Sequence, residues 1–165
     1  MSKQQKQLTM TILMTPDMAN FSGIVHGGAL LQLLDRAAYA CAARYSKKYV
    51  VTASLDQVSF KAPILVGELV TLYANVNYVG RTSMEVGIKA IAEDLKSHEQ
   101  RHTTSCYFTM VAKDDDGKST PVPALNLTTE LDKKLYQAGK MRLEMRREIN
   151  QRNLELHVEI PEDFG

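Results

Sequence analysis

The sequence has no tryptophan, two cysteines and five prolines among 165 residues, and no apolar run long enough to cross a bilayer. Each scarcity narrows the possibilities. Cys41 and Cys106 both lie within apolar runs, which predicts two buried free thiols rather than a disulfide framework. The four histidines (His26, His98, His102 and His157) stand at no metal-ligand spacing to one another or to cysteine, so no metal is expected. Lys plus Arg number 20 against 19 Asp plus Glu; no general pull on nucleic acid or on a membrane surface is expected from so even a balance. The N-terminus lacks the apolar core of a signal peptide, which makes the cytoplasm the default location. What remains is an ordinary globular composition, 44% hydrophobic and 24% charged, in a chain long enough to bury one core.

The chemistry concentrates in Asn20-Phe-Ser-Gly-Ile-Val-His-Gly-Gly28, which runs straight into Ala29-Leu-Leu-Gln-Leu-Leu-Asp35. A loop with a polar side chain, Asn20, and a histidine, His26, reaches two glycines that open an apolar helix. Helix openings leave backbone N–H groups unpaired, and glycine lets a ligand approach them closely. Such an opening suits a partly negative oxygen. Asp35, set into an otherwise greasy helix, needs a reason to be there, since burial of a carboxylate is costly unless the group is paired or used. Together these parts suit an oxyanion site and a base. The plainer readings are that Asp35 is a surface carboxylate pairing with Arg36 or Lys47, that Gly27-Gly28 is a tight turn, and that Asn20 is a turn residue.

Along the chain, Leu8, Met10, Ile12 and Met14 alternate with Thr9, Thr11 and Leu13, which reads as a strand. Residues 27–44 form a helix apolar nearly all round, which predicts a central, buried position. Four strand-like segments follow, at 50–60, 66–78, 82–92 and 102–112. The first changes its apolar face from Val51, Ala53 and Leu55 to Val58 and Phe60, which predicts a bulge near Asp56-Gln57. The second alternates Val70, Leu72, Ala74, Val76 and Tyr78, the third Met84, Val86, Ile88, Ala90 and Ala92, and the fourth Cys106, Phe108 and Met110. Gly80-Arg81 reads as a hairpin turn. From Thr129 to about Gln151, apolar residues recur every three or four positions, predicting an amphipathic helix capped by Thr128 or Thr129. The expected organisation is a domain over 1–125, then a C-terminal helix and tail over 126–165. Its fold class is α+β, one curved antiparallel sheet around one helix. Such a sheet has two edges and little cover, which homo-oligomer formation would mend.

The pattern Asn20-x-x-Gly23-x-Val25-His26-Gly27-Gly28, with Asp35 seven residues on, resembles hotdog-fold acyl-CoA thioesterases, of the YciA and cytosolic acyl-CoA hydrolase type. Val50-Val51-Thr52, Phe60-Lys-Ala-Pro63, Val66-Gly67-Glu68 and Val79-Gly80-Arg81-Thr82-Ser83 agree with it. The likeness runs from about Leu8 to Pro123. It implies hydrolysis of acyl-CoA to free acid and CoA without a metal or added cofactor. It also implies that Asp35 is general base or nucleophile, that Gly27 and Gly28 present the polarising N–H, and that Asn20 positions water or thioester. His26 is read first as shaping the loop, with a substrate contact second. The resemblance implies that the hairpin Gly80, Arg81, Thr82 and Ser83 lies near CoA, where a solvated charge is the plainer reading of Arg81. Thr52, Ser54 and Ser83 are weaker candidates. Family members work as dimers, commonly assembled as trimers of dimers. The alternative is a non-catalytic acyl-CoA binder on the same fold, which would have lost the acid. A hydratase of this fold would carry a histidine five residues after Asp35, where this chain has Ala40.

One geometric expectation follows from helix dimensions. Gly28 and Asp35 lie two turns apart on nearly one face, about 10 Å along the axis. Base and oxyanion donor must both come within roughly 3 Å of one reacting centre or its water. Two helices antiparallel across a two-fold bring Asp35 of one chain to the glycines of the other, so a site built by two chains is expected.

Overall fold

His26 starts the main helix. Its Nδ1 accepts a 3.0 Å hydrogen bond from the Ala29 N–H, which satisfies one of the orphan donors of the first turn. The helix α1 spans Gly27–Ser46 and stops where Lys47 enters the left-handed region, at φ 57°. The computed structural model describes residues 3–157. They form two compact units that divide between Asn126 and Leu127; residues 1–2 and 158–165 lie outside the described residues.

The first unit runs β1 (Gln7–Leu13), a single 3-10 turn (Pro16–Met18), α1, β2 (Tyr49–Phe60), β3 (Leu69–Val79), β4 (Ser83–Glu93) and β5 (Gln100–Lys113). The strands make one antiparallel sheet in the order β1-β3-β4-β5-β2, so β1 and β2 are its edges. α1 touches all five strands. Leu30, Leu33, Leu34, Ala37, Ala38, Cys41 and Ala42 are buried from it; the alanines let the sheet approach closely, and each buried leucine contributes about 1.5–3 kcal/mol. Facing them are Val70, Leu72, Ala74 and Val76 from β3, Met84, Val86, Ile88, Ala90 and Ala92 from β4, and Cys106, Phe108 and Met110 from β5.

Three expectations need correction. α1 is not buried all round: Gly28, Gln32, Asp35, Arg36 and Tyr39 form an exposed stripe, because one sheet has only one face to offer. On β2, Val50 is the buried residue, Val51 is half-buried and Ala53 exposed, because the register slips between Thr52 and Ser54, earlier than expected. The expected bulge is present as well, between Asp56 and Ser59, with Gln57 at φ 53°. On β3 a slip between Val76 and Tyr78 buries Asn77 and Val79 and leaves Tyr78 half-buried.

The second unit contains α2 (Glu130–Glu155). Thr129 caps it: its hydroxyl accepts from the Asp132 N–H, and the Asp132 carboxylate accepts from the Thr129 N–H, both at 3.0 Å. Leu131, Met141, Met145 and Ile149 are exposed along it.

Candidate active site

The loop before α1 is tied at both ends. Asn20 Oδ1 accepts from the Ser22 and Ile24 N–H groups at 2.9 and 3.1 Å, and the Asn20 N–H donates to the Ile24 carbonyl at 2.7 Å. Asn20 is therefore a turn residue, yet it is exposed and its Nδ2 has no partner among the described residues. The Val25 N–H donates to the Ile64 carbonyl at 2.8 Å and the His26 N–H to the Met18 carbonyl at 3.0 Å. These bonds fix where α1 begins.

Gly27 and Gly28 occupy the first two helical positions, and neither N–H has an acceptor among the described residues. A Cβ on Gly27 would meet the Phe60 ring at 3.5 Å, and one on Gly28 would meet His26 Nδ1 at 3.4 Å, both ordinary contacts. The packing of the chain itself thus does not demand glycine at either place. Gly27 opens on an apolar cavity of about 350 Å³. Gly28 opens on a more polar one of about 560 Å³, shared with Asp17, His26, Gln32 and Arg36. His26 acts as the helix cap, with Nδ1 as acceptor.

Asp35 lies two turns further along the exposed stripe. It pairs with neither Arg36 nor Lys47; its Oδ1 accepts a 2.6 Å hydrogen bond from Thr52 Oγ1 on β2. The carboxylate is thus oriented by a neutral donor and keeps Oδ2 uncommitted. Thr52 was a weak candidate in the sequence, since a hydroxyl on a strand carries no distinguishing pattern, and Ser54 instead bonds Asp56 at 3.3 Å.

The β3–β4 hairpin turns as expected, with the Gly80 N–H donating to the Ser83 carbonyl at 2.9 Å. Arg81 is exposed, and its carbonyl accepts from the Val122 N–H at 3.0 Å. The register Thr52–Met110–Met84 puts Gly80, Arg81, Thr82 and Ser83 at the end of the sheet where Thr52 lies. Gly27 meets Phe60, at the other end of β2, and Gly28 meets His26. Within one chain the structure therefore joins Asp35 with Thr52, and Asn20, His26, Gly27 and Gly28 with one another, but not the two groups.

An ion pair that sequence reasoning missed braces the glycine end. Arg101 Nη2 donates to Glu68 Oε1 and Oε2 at 2.9 and 2.8 Å and to the Pro63 carbonyl at 3.0 Å, while the Leu65 N–H donates to Glu68 Oε2 at 3.2 Å. The Glu68 hydrogen bonds raise the pKa of Arg101. This clamp holds the segment 61–68 that bounds the apolar cavity and supports Val25. Cys41 and Cys106 are buried free thiols whose pKa values burial pushes up to about 12. Among the described residues no helix is long and apolar enough to cross a membrane.

Known proteins share this fold. The thioesterase superfamily model matches residues 22–97. The chain is 51% identical over 140 residues to Protein VdlD of Helicobacter pylori, covering 85% of this chain and 80% of that protein. An apo-hexameric acyl-CoA thioesterase superposes with a TM-score of 0.85 at 36% identity, over 88% of this chain and 94% of that one. The acyl-CoA hydrolase of Staphylococcus aureus, solved with butyryl coenzyme A, coenzyme A and coenzyme A disulfide, superposes with a TM-score of 0.84 at 28% identity, over 92% and 93% of the two chains. Variants of that enzyme with alanine in place of one asparagine, one aspartate or one threonine have also been solved.

Proposed function

Because the chain belongs to the acyl-CoA thioester hydrolases of the thioesterase superfamily, with their hotdog fold, we propose that it cleaves acyl-CoA to carboxylic acid and CoA with Asp35 as the acidic catalytic group. The activity belongs to the first unit. The amides of Gly27 and Gly28 hold the thioester oxygen, and the uncommitted amide of Asn20 orients water or substrate. Asp35 Oδ2 takes a proton from water as its oxygen bonds to the thioester carbon. The negative charge that develops on the carbonyl oxygen is met by the unpaired N–H groups at the start of α1. Collapse expels CoA thiolate, which the proton from Asp35 neutralises. If Asp35 attacks directly, a mixed anhydride forms and water then cleaves it. A thiolate leaves readily, so this modest machinery needs no metal or added cofactor.

The observation that carries the reading is the Thr52–Asp35 hydrogen bond of 2.6 Å: an exposed carboxylate, unpaired with any cation, is held in one orientation. The three residues replaced in the S. aureus hydrolase are an asparagine, an aspartate fifteen positions on and a threonine seventeen further. Asn20, Asp35 and Thr52 stand at that spacing.

The site is assembled from two protomers. Asp35 and the glycines of one chain are about 10 Å apart along the axis, and the CoA-contacting hairpin of Arg81 lies at the opposite sheet end from the glycines. Antiparallel packing of two α1 stripes brings Asp35, Thr52 and the hairpin of one chain to the glycine end of the other. The same packing covers the stripe of Gln32, Arg36 and Tyr39 that the sheet leaves exposed. The active dimers assemble further, as the hexamers among similar thioesterases suggest.

The test is hydrolysis of an acyl-CoA series by wild type, Asp35→Ala and Asp35→Asn, following free CoA. The expected loss is about 10²–10⁴-fold in kcat for both variants. Equal rates in all three would remove Asp35 from the mechanism. Wild-type binding without turnover on any chain length would leave the acyl-CoA-binding alternative. After single turnover in ¹⁸O-water, label on Asp35 identifies direct attack, with water opening the anhydride at the Asp35 carbon; trapping of the anhydride with hydroxylamine as the acyl hydroxamate covers opening at the acyl carbon.

A further inference from the structure

β2 does not end as a regular strand. The register slip between Asp56 and Ser59, with Gln57 in the left-handed region at φ 53°, turns the last residues of the strand. A bulge re-aims the side chains that follow it, and here the residue re-aimed is Phe60. The Cζ atom of its ring ends 3.5 Å from where a Cβ on Gly27 would stand, with Cε2 and Cε1 at 3.9 and 4.0 Å. The ring tip therefore covers the bare Cα of Gly27. Behind it lies the cavity of about 350 Å³, bounded by Gly27, Leu30, Phe60, Ala62, Pro63 and Ile64. Phe60 is 54% exposed, so it lines this cavity from outside the closed core.

We propose that this cavity receives the acyl chain of the thioester and that the Phe60 ring sets how long or how branched a chain it accepts. The proposal rests on the assignment of the Gly27 amide to the thioester oxygen. A carbonyl held at that amide has its first acyl carbons beside the ring, and a straight chain slides past while a branch next to the carbonyl meets it. The volume lies near the lower end of the ~300–1,000 Å³ that ligand pockets span, so the space for the chain is finite. Each methylene buried in the cavity raises kcat/KM roughly fourfold. The gain stops once the chain outgrows the space, and residue 60 decides where that happens.

The experiment compares wild type with Phe60→Leu, Phe60→Ala and Phe60→Trp on straight acyl-CoAs from acetyl to hexadecanoyl and on a 2-methyl-branched partner of one of them. CoA release and the melting temperature of each variant are followed. In wild type, kcat/KM climbs with chain length and then falls. In Phe60→Ala the maximum moves to longer chains and the branched-to-straight ratio rises about tenfold; Phe60→Leu moves in the same direction by less, and Phe60→Trp moves to shorter chains. Profiles that peak at one length in all four proteins, differing only in overall rate, would overturn the filter while leaving the hydrolase reading intact. No hydrolysis by wild type across the series would overturn both.

Discussion

Thr52 Oγ1 donates a 2.6 Å hydrogen bond to Asp35 Oδ1, linking the exposed stripe of α1 to the start of β2. Met110 Sδ lies 3.6 Å from the same hydroxyl, so the hydroxyl is set between the sheet and the helix. A carboxylate on an exposed helix face would otherwise sample several rotamers; here one oxygen is fixed and the other is presented.

Replacing Thr52 with valine keeps the shape and removes only the donor. A hydrogen bond to a charged group contributes about 1.5–3 kcal/mol, and exposure favours the lower figure. The expected result is a fall of about tenfold in kcat with KM within about twofold, and recovery of most of the loss in Thr52→Ser. Steady-state kinetics at saturating acyl-CoA decide it; wild-type kcat in Thr52→Val would show that Asp35 needs no orientation.

Gly27→Pro removes one N–H and adds a ring whose Cβ would stand 3.5 Å from the Phe60 Cζ, an ordinary contact. Proline is accommodated at the first helical position, and His26 already has the extended backbone that a following proline requires, at φ −74° and ψ 152°. Loss of an oxyanion donor predicts a drop of about 10²–10³-fold in kcat with little change in melting temperature. If two chains build each site, subunits of Gly27→Pro and Asp35→Asn that are refolded together regain about a quarter of wild-type activity, because half the dimers then carry one intact site. No recovery on mixing places base and donor in one chain.

Arg101→Met strands the Glu68 carboxylate, whose side chain is 6% exposed. Breaking a buried pair costs about 3–5 kcal/mol, and water at the half-buried guanidinium lowers this to about 2–3. The melting temperature should fall by about 4–12 °C. The double variant Arg101→Met, Glu68→Leu should recover most of that, since an apolar pair strands no charge. A double variant no more stable than the single one would show that the clamp works through its bonds to Pro63 and Leu65 and not through charge.

Cys41 and Cys106 stay protonated in the folded protein up to about pH 12 because burial disfavours the thiolate. Unfolding returns them to the ordinary value of 9.0. Their folded pKa is raised, so their stabilising contribution is complete below pH 9 and is lost progressively as pH climbs from 9 towards 12. Native protein should resist a thiol-selective reagent at pH 8 and react at both positions in denaturant. Rapid native labelling would mean that one of these thiols is reached by opening of the sheet.

Much of this protein is legible in local pattern. The alternation of Val70 to Val76 and of Met84 to Ala92, the glycines opening α1, and the threonine cap of α2 depend on residues a few positions apart, where backbone geometry alone dictates which side chains share a face. What escaped notice lies across long separations. Thr52 meets Asp35 seventeen positions away, and Arg101 meets Glu68 at thirty-three. The period of two on β2 and β3 misled because a bulge shifts the phase without leaving a residue type that marks it, at Thr52 to Ser54 and again at Val76 to Tyr78.

The amino-acid sequence by itself determined the elements, their order, the greasy helix with its single carboxylate and the unpaired amides at its start, since these follow from hydrophobic period and helix-end chemistry. Only the tertiary structure decided which side of α1 the sheet covers, which hydroxyl reaches Asp35 and where Phe60 points. Strand register and bulges set those neighbours, and they are chosen by the packing of the whole sheet against the helix rather than by any one segment.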